Sequence, residues 1–250
     1  MLPKIKGVAF RVDMRGKTRL RQDDPKYASM MYALDENVGK VIDEVKKEGI
    51  YDNTVIFFTG DNGSLTTLEK RPGPTSALPF RGGKGWCYEG GIRVPFIVRD
   101  PASKIKGQVC NIPVVGTDLY STIIDYAKGS DDLSTSAKNY FDSFDLRKVI
   151  FGEEKSVDRR TPLVWFYPHY HGSGWVPGTS IRVGDWVLIE SYQDNSVKLY
   201  NLSKDIGEVK DLSEKYPEKR SELLNTLHQY LKNVNAVMPS LNPKYQKKHK

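Results

Sequence analysis

Between Pro25 and Glu48 the apolar residues recur at helical spacing. Tyr27, Met31, Leu34, Val38, Val41 or Ile42, and Val45 lie three and four residues apart, which predicts one helix with a single apolar stripe. Asp24 is placed to cap it and Pro25 to fill its first position, while Gly49 can end it in a left-handed conformation. Asp35, Glu36, Asp43 and Glu44 fall on the opposite, solvated face. The pattern then changes to short apolar runs. Thr54 to Thr59 is β-branched and aromatic without polar alternation, as in a strand buried on both faces of an α/β sheet. Val94 to Val98 reads as another buried strand, stopped by Pro101. Thr117 is placed to cap a helix through about Ala127, with Leu119, Tyr120, Ile123 and Ile124 as its apolar side. Strands alternating with helices argue for a parallel sheet covered by helices.

The segment from Lys128 to Asp158 is polar and weakly patterned, and it places a domain boundary near Arg160, giving domains 1–160 and 161–250. Beyond it Leu163 to Tyr167, Ser180 to Ser191 and Val197 to Tyr200 are strand-like, and Gln-Asp-Asn-Ser before Val197 reads as a hairpin turn. So short a connection implies antiparallel pairing. A last helix begins at Pro217, and Leu223, Leu224, Leu227 and Leu231 form a stripe suited to packing on that small sheet. The expected fold is α/β, followed by a small α+β subdomain with an antiparallel sheet and a packed helix. Residues 1–22 show no sustained period, and 239–250, rich in proline and lysine, read as a frayed end.

Candidate chemistry starts where the Thr54 to Thr59 strand stops. Asp61 and Asn62 follow it, at the place where open α/β sheets put their ligands, and Gly60 and Gly63 allow the backbone to turn around them. Arg81-Gly-Gly-Lys84-Gly and Glu89-Gly-Gly-Ile-Arg93-Val-Pro95 come next, glycine-dense segments able to approach a bound group and present a lysine to it. An acid–amide pair with a lysine suggests a hard cation beside an oxyanion, whereas D-N-G alone reads as an Asx turn. Arg93 and Glu89 are spaced for a local ion pair. His169 and His171 form an H-x-H pair, but zinc needs at least a third ligand, and the remaining histidines are His228 and His249. Trp165, Tyr170 and Trp175 lie near that pair and offer stacking faces for a sugar or aryl group, the alternative being ordinary packing.

The ordered set F-[TS]-x-D-N-G, R-G-x-K and E-G-G-x-R-V-P resembles the second half of the type I, formylglycine-dependent sulfatases of the alkaline phosphatase superfamily. The likeness extends upstream through residues 23–54 and downstream through residues 180–218. It implies part of an alkaline-phosphatase-like core plus the family's C-terminal subdomain. It also implies that Asp61 and Asn62 are ligands of one calcium ion whose site is completed by residues absent from this chain. Lys84 would be the catalytic, sulfate-binding lysine, and His169 and His171 would line the substrate pocket. Neither Cys87 nor Cys110 lies in the family's C/S-x-P-S/A-R motif, so the chain is expected to lack the formylglycine nucleophile and to be inactive alone. The complete family member would be periplasmic or secreted, and its partner a sulfate-ester small molecule or a sulfated glycan.

Length and charge narrow the field further. A chain of 250 residues with 38% hydrophobic residues can bury a core. Its formal net charge of +7 is compatible with an anionic partner, but no aromatic-interleaved basic motif accompanies it, so no nucleic-acid partner is expected. The longest apolar runs span a few residues, which excludes a transmembrane segment, and residues 1–22 lack the apolar core of a signal peptide. Two cysteines in unrelated contexts form no disulfide framework. Asn62-Gly-Ser64 and Asn201-Leu-Ser203 match glycosylation sequons. A phosphoester or phosphonate hydrolase of the same superfamily, with paired zinc, and a non-catalytic module binding anionic glycans are the alternatives. A cut sheet is further expected to expose apolar surface and favour self-association.

Overall fold

The computed structural model describes residues 19, 21–68, 71–128, 143–154, 162–240 and 242. The boundary expected near residue 160, most of the entry stretch and most of the lysine-rich end lie outside these residues. Compactness divides the chain differently from sequence order. One unit joins residues 1–34, 60–94 and 163–250, and the other joins 35–59 and 95–162.

The first unit is built on an antiparallel meander. Strands β5 (Leu163–Tyr167), β6 (Gly178–Val183), β7 (Trp186–Ser191) and β8 (Val197–Asn201) pair in that order. The run from Ser180 to Ser191 is thus a hairpin rather than one strand, turned at Gly184, whose φ is +58°. Asn195 at φ +54° turns the β7–β8 hairpin. Side chains alternate across the sheet, so successive residues serve different cores. Ile181, Leu188 and Leu199 meet Leu223, Leu227 and Leu231 of the C-terminal helix (Pro217–Asn233), as its leucine stripe predicts. Val187, Ile189 and Tyr200 face the other way, onto Trp86, Cys87, Tyr88 and Trp175. Those aromatic rings are joined edge to face, with Trp86 and Trp175 centroids 5.8 Å apart and Tyr88 and Trp175 6.2 Å apart. The sheet therefore has a helix on one face and the segment just after Lys84 on the other. Two further short strands, β2 (Thr67–Leu68) and β3 (Arg71–Pro72), pair antiparallel in the same unit.

In the second unit β1 (Ile56–Thr59) pairs with β4 (Phe96–Arg99) in antiparallel register, Ile56 opposite Arg99 and Thr59 opposite Phe96. This corrects the expected parallel sheet. The two strands are also half-buried at most, with Ile97 62% exposed. Their short apolar runs carry no periodicity that distinguishes one pairing sense from the other. Helix α2 (Asp118–Lys128) begins one residue after the expected cap. Its buried side is polar: Asp118, Thr122 and Asp125 are enclosed while Tyr120 and Ile123 are exposed. Asp118 accepts from the amides of Val115 and Phe144, Thr122 from that of Leu146, and Asp125 pairs with Arg147.

Helix α1 (Pro25–Lys47) has the predicted start and cap and ends one residue before the expected Glu48, the Asp24 carboxylate accepting from the amides of Lys26 and Tyr27 at 3.0 and 3.1 Å. Gly49 follows at φ +71°. Its acids are solvated as expected, Glu36 pairing with Lys40, Asp43 with Lys46 and Glu44 with Lys47. No residue of this helix is buried.

Candidate functional site

All five residues singled out as ligands or substrate contacts, Asp61, Asn62, Lys84, His169 and His171, lie in the first compact unit. Three loops meet there through their backbones. The Gly63 amide donates to the Gly91 carbonyl at 2.8 Å, and the Lys84 amide donates to the Ser64 carbonyl at 2.8 Å. The D-N-G loop is thereby sewn to both ends of the glycine-rich segment. Contact this close excludes side chains: a Cβ on Gly63 would lie 1.9 Å from the Gly90 carbonyl oxygen. The glycines of the two motifs are thus required by one packing arrangement, which supplies the physical reason for their joint occurrence.

Lys84 occupies the second position of a turn closed by the Trp86 amide on the Gly83 carbonyl at 3.0 Å. Gly85, at φ +84°, fills the third, where a type II turn demands a positive angle. The lysine is exposed, immediately before Trp86, Cys87 and Tyr88 plunge into the core. His171 stands against this turn, its Nδ1 only 2.1 Å from where a Cβ of residue 85 would be. That nitrogen accepts from the Ser173 amide at 3.1 Å. His169 is exposed with its ring 5.9 Å from that of Tyr167.

Asp61 is exposed and Asn62 half-buried. One Asp61 oxygen accepts from the Asn62 amide at 2.9 Å, and the Asn62 side-chain nitrogen donates to the Gly63 carbonyl at 3.1 Å. That arrangement, in which each contact reaches only the next residue, is not the Asx turn that D-N-G alone suggests, which needs the amide two residues on. It leaves one hard oxygen on each side chain uncommitted among the described residues, a donor set that suits calcium but supplies two of the roughly six to eight oxygens that ion takes. Among the described residues no group of three or more histidine, cysteine, aspartate or glutamate side chains is placed to hold a metal.

Burial favours ordinary packing over stacking for Trp175. Trp175 is 4% exposed, its indole N–H donating to the Tyr167 carbonyl at 3.0 Å. Trp165 packs against the same core. Tyr170, 70% exposed, is the most open of the three. The expected ion pair is present, Arg93 Nη1 meeting Glu89 Oε2 at 3.0 Å, with Arg182 of β6 3.4 Å from the other oxygen. Burial pushes the Cys87 thiol up to about 12, the neighbouring Glu208 charge adding to the effect.

A protein-family model described as Sulfatase matches residues 5–130, and one described as N-sulphoglucosamine sulphohydrolase, C-terminal, matches residues 82–237. The chain belongs to the sulfatase family. A sulfatase of Formosa agariphila is 30% identical, the match covering 90% of this chain and 44% of that protein. Mouse arylsulfatase J is 30% identical over 88% of this chain and 41% of its own length. The crystal structure of BT4656 in complex with its substrate D-glucosamine-2-N,6-O-disulfate superposes with a TM-score of 0.65 at 26% identity, covering 82% of this chain and 39% of that one. The sulfatase chain in hand thus spans less than half the length of these relatives.

Two features of the candidate site lie beyond the sequence motifs. The first is that Trp86, Cys87 and Tyr88 fasten the lysine loop to the sheet, although the apolar triplet after R-G-G-K-G was a visible signal. The second is that Glu208, from the turn after β8, touches this loop at both ends. A lone glutamate in a polar stretch carries no sequence signal of that kind.

Proposed function

We propose that this sulfatase chain supplies one side of a site that cleaves a sulfate ester of a small molecule or a sulfated glycan. The observation that carries the reading is the pair of 2.8 Å backbone bonds holding the D-N-G loop and the Lys84 turn together. They bring two hard oxygens and a lysine into one loop cluster. Bound calcium, held by Asp61 and Asn62 together with oxygens from outside this chain, would polarise sulfate oxygens. Lys84 would neutralise charge that builds on the sulfuryl and leaving oxygens as the S–O bond breaks, which a fixed ammonium does at little reorganisation cost. His171, set beside Gly85, would line the approach to that lysine, with His169 at its outer edge. A sulfated sugar is the substrate class favoured by the likeness to BT4656, whose bound substrate is a disulfated glucosamine.

The chain carries no formylglycine-forming motif, so by itself it should turn over no sulfate ester. Its partial site should still bind. With isotope-labelled protein, inorganic sulfate is expected to shift the Lys84 ammonium resonance, and calcium to tighten that response. Asp61→Ala should abolish the calcium enhancement and leave the sulfate shift of the Lys84 resonance in place. A Lys84 signal indifferent to sulfate would refute the reading, and enhancement by zinc but not calcium would move it to the phosphoester hydrolases of the superfamily.

A further inference from the structure

Glu208 is fully buried and adopts φ +51°, a left-handed conformation uncommon for a residue other than glycine. Its turn is fixed locally: the Glu208 amide donates to the Asp205 carbonyl at 3.1 Å, and the Asp205 carboxylate accepts from the amides of Val209 and Lys210 at 2.8 Å each. From that position Glu208 reaches the lysine loop twice. Its carbonyl oxygen accepts from Arg81 Nη1 at 2.8 Å, and its carboxylate Oε2 accepts from the Glu89 amide at 2.8 Å. Arg81 and Glu89 are the two ends of the segment that presents Lys84. Arg81 is held further by the Tyr200 hydroxyl at 3.0 Å and by the Tyr88 ring, 4.2 Å from its guanidinium carbon.

The geometry points to Glu208 as a positioning residue that clasps both ends of the 81–89 loop and so fixes where Lys84 stands against the D-N-G loop. This rests on the reading of Lys84 as the sulfate-binding lysine. A left-handed backbone is strained for a residue with a side chain, and a buried carboxyl is costly as well; neither is needed to close a turn, whereas both follow if this carbonyl and this carboxyl must face one loop together. The groups facing the carboxyl are the Arg81 guanidinium and the Glu89 and Asp205 carboxylates, with Cys87, Tyr88 and Tyr200 beyond. Burial, the largest influence, pushes it up to about 8.

Amide hydrogen exchange on the whole 250-residue chain tests the clasp. Glu208→Ala is expected to speed exchange of the Lys84, Glu89 and Gly90 amides at least tenfold relative to the Leu188 and Leu199 amides of the sheet. Glu208→Gln, which keeps an acceptor, should restore protection. Uniform acceleration, or none in the loop, would overturn the proposal. Should Glu208→Ala not fold, the Glu89 amide resonance decides: it should titrate near pH 8 in the wild-type chain and not in Glu208→Gln, and its failure to titrate in the wild type would equally overturn the clasp. Inorganic sulfate separates the two readings. Protection that depends on Glu208 with no sulfate response at Lys84 would leave the clasp standing and remove the sulfate site.

Discussion

Gly83→Ala puts a methyl group into space already filled. The new Cβ would lie 2.2 Å from Thr66 Oγ1, 2.5 Å from the Ser64 carbonyl oxygen and 2.9 Å from Thr66 Cγ2. One of these is backbone, and Thr66 is 1% exposed with its hydroxyl donating to the Gly82 carbonyl at 3.2 Å. Neither neighbour is the free end of a flexible side chain, so the loops must separate, and with them the Lys84 amide from the Ser64 carbonyl. Overpacking costs roughly 1–3 kcal/mol and the lost hydrogen bond roughly 1 more, which sums to about 3 kcal/mol. Gly39→Ala is the control. It lies inside helix α1 with nothing within 4 Å of its would-be Cβ, so alanine should stabilise the helix by roughly 0.5–1 kcal/mol. Urea unfolding read at the Leu188 and Leu199 amides reports the unit that contains Gly83, and amides of the α1 segment report Gly39. Gly83→Ala unfolding at the wild-type urea concentration, with the Lys84 amide still protected, would refute the packing argument.

Three further outcomes follow from burial. Leu227 is fully enclosed between the C-terminal helix and the sheet, so Leu227→Ala should cost about 3 kcal/mol in urea unfolding; a loss below about 1 kcal/mol would place that leucine outside a close-packed core. Cys110 is exposed and Cys87 buried with its thiol pushed up to about 12, so maleimide at neutral pH should modify Cys110 alone until the chain is unfolded, and prompt labelling of Cys87 would contradict the structure. Glu208 titrates near 8 folded against 4.5 ordinarily, so its favourable contribution is complete below pH 4.5 and is lost as pH rises through 8, on the order of 5 kcal/mol. Glu208→Gln should flatten that fall in stability, and identical pH profiles of the two chains would refute it.

What the sequence discloses is local. The bounds of α1 and of the C-terminal helix are legible because Asp24, Pro25, Gly49 and Pro217 act on adjacent backbone, and because Leu223, Leu227 and Leu231 keep helical spacing. The hairpin at Asn195 is legible for the same reason. The pairing of β1 with β4 is not, since four-residue apolar strands read alike in parallel and antiparallel sheets. Helix α2 misleads for a different reason: its enclosed side is Asp118, Thr122 and Asp125, which find partners in amides and in Arg147, and polar residues so satisfied are invisible to a hydrophobic pattern. In the candidate site the glycines announce close approach, but which backbone they approach, Gly63 to Gly90 and Gly83 to Ser64, is a tertiary fact.

The period of two in the meander links stability to the site. Leu188 and Leu199 point to the C-terminal helix, and their neighbours Val187 and Tyr200 point to Trp86, Cys87 and Tyr88. One strand residue therefore anchors the helix and the next anchors the lysine loop. A Trp or Tyr of that loop buries 150–250 Å², or about 4–6 kcal/mol of transfer free energy before entropic losses, far more than the handful of hydrogen bonds in the loop itself supplies. The turn that carries Lys84 is thus held mainly by apolar burial two to four residues downstream, and its direction is set by Arg81, Glu89 and Glu208. An exposed lysine can be given a fixed place in this way without being buried, so its charge stays hydrated and available to an anion while its backbone belongs to the core.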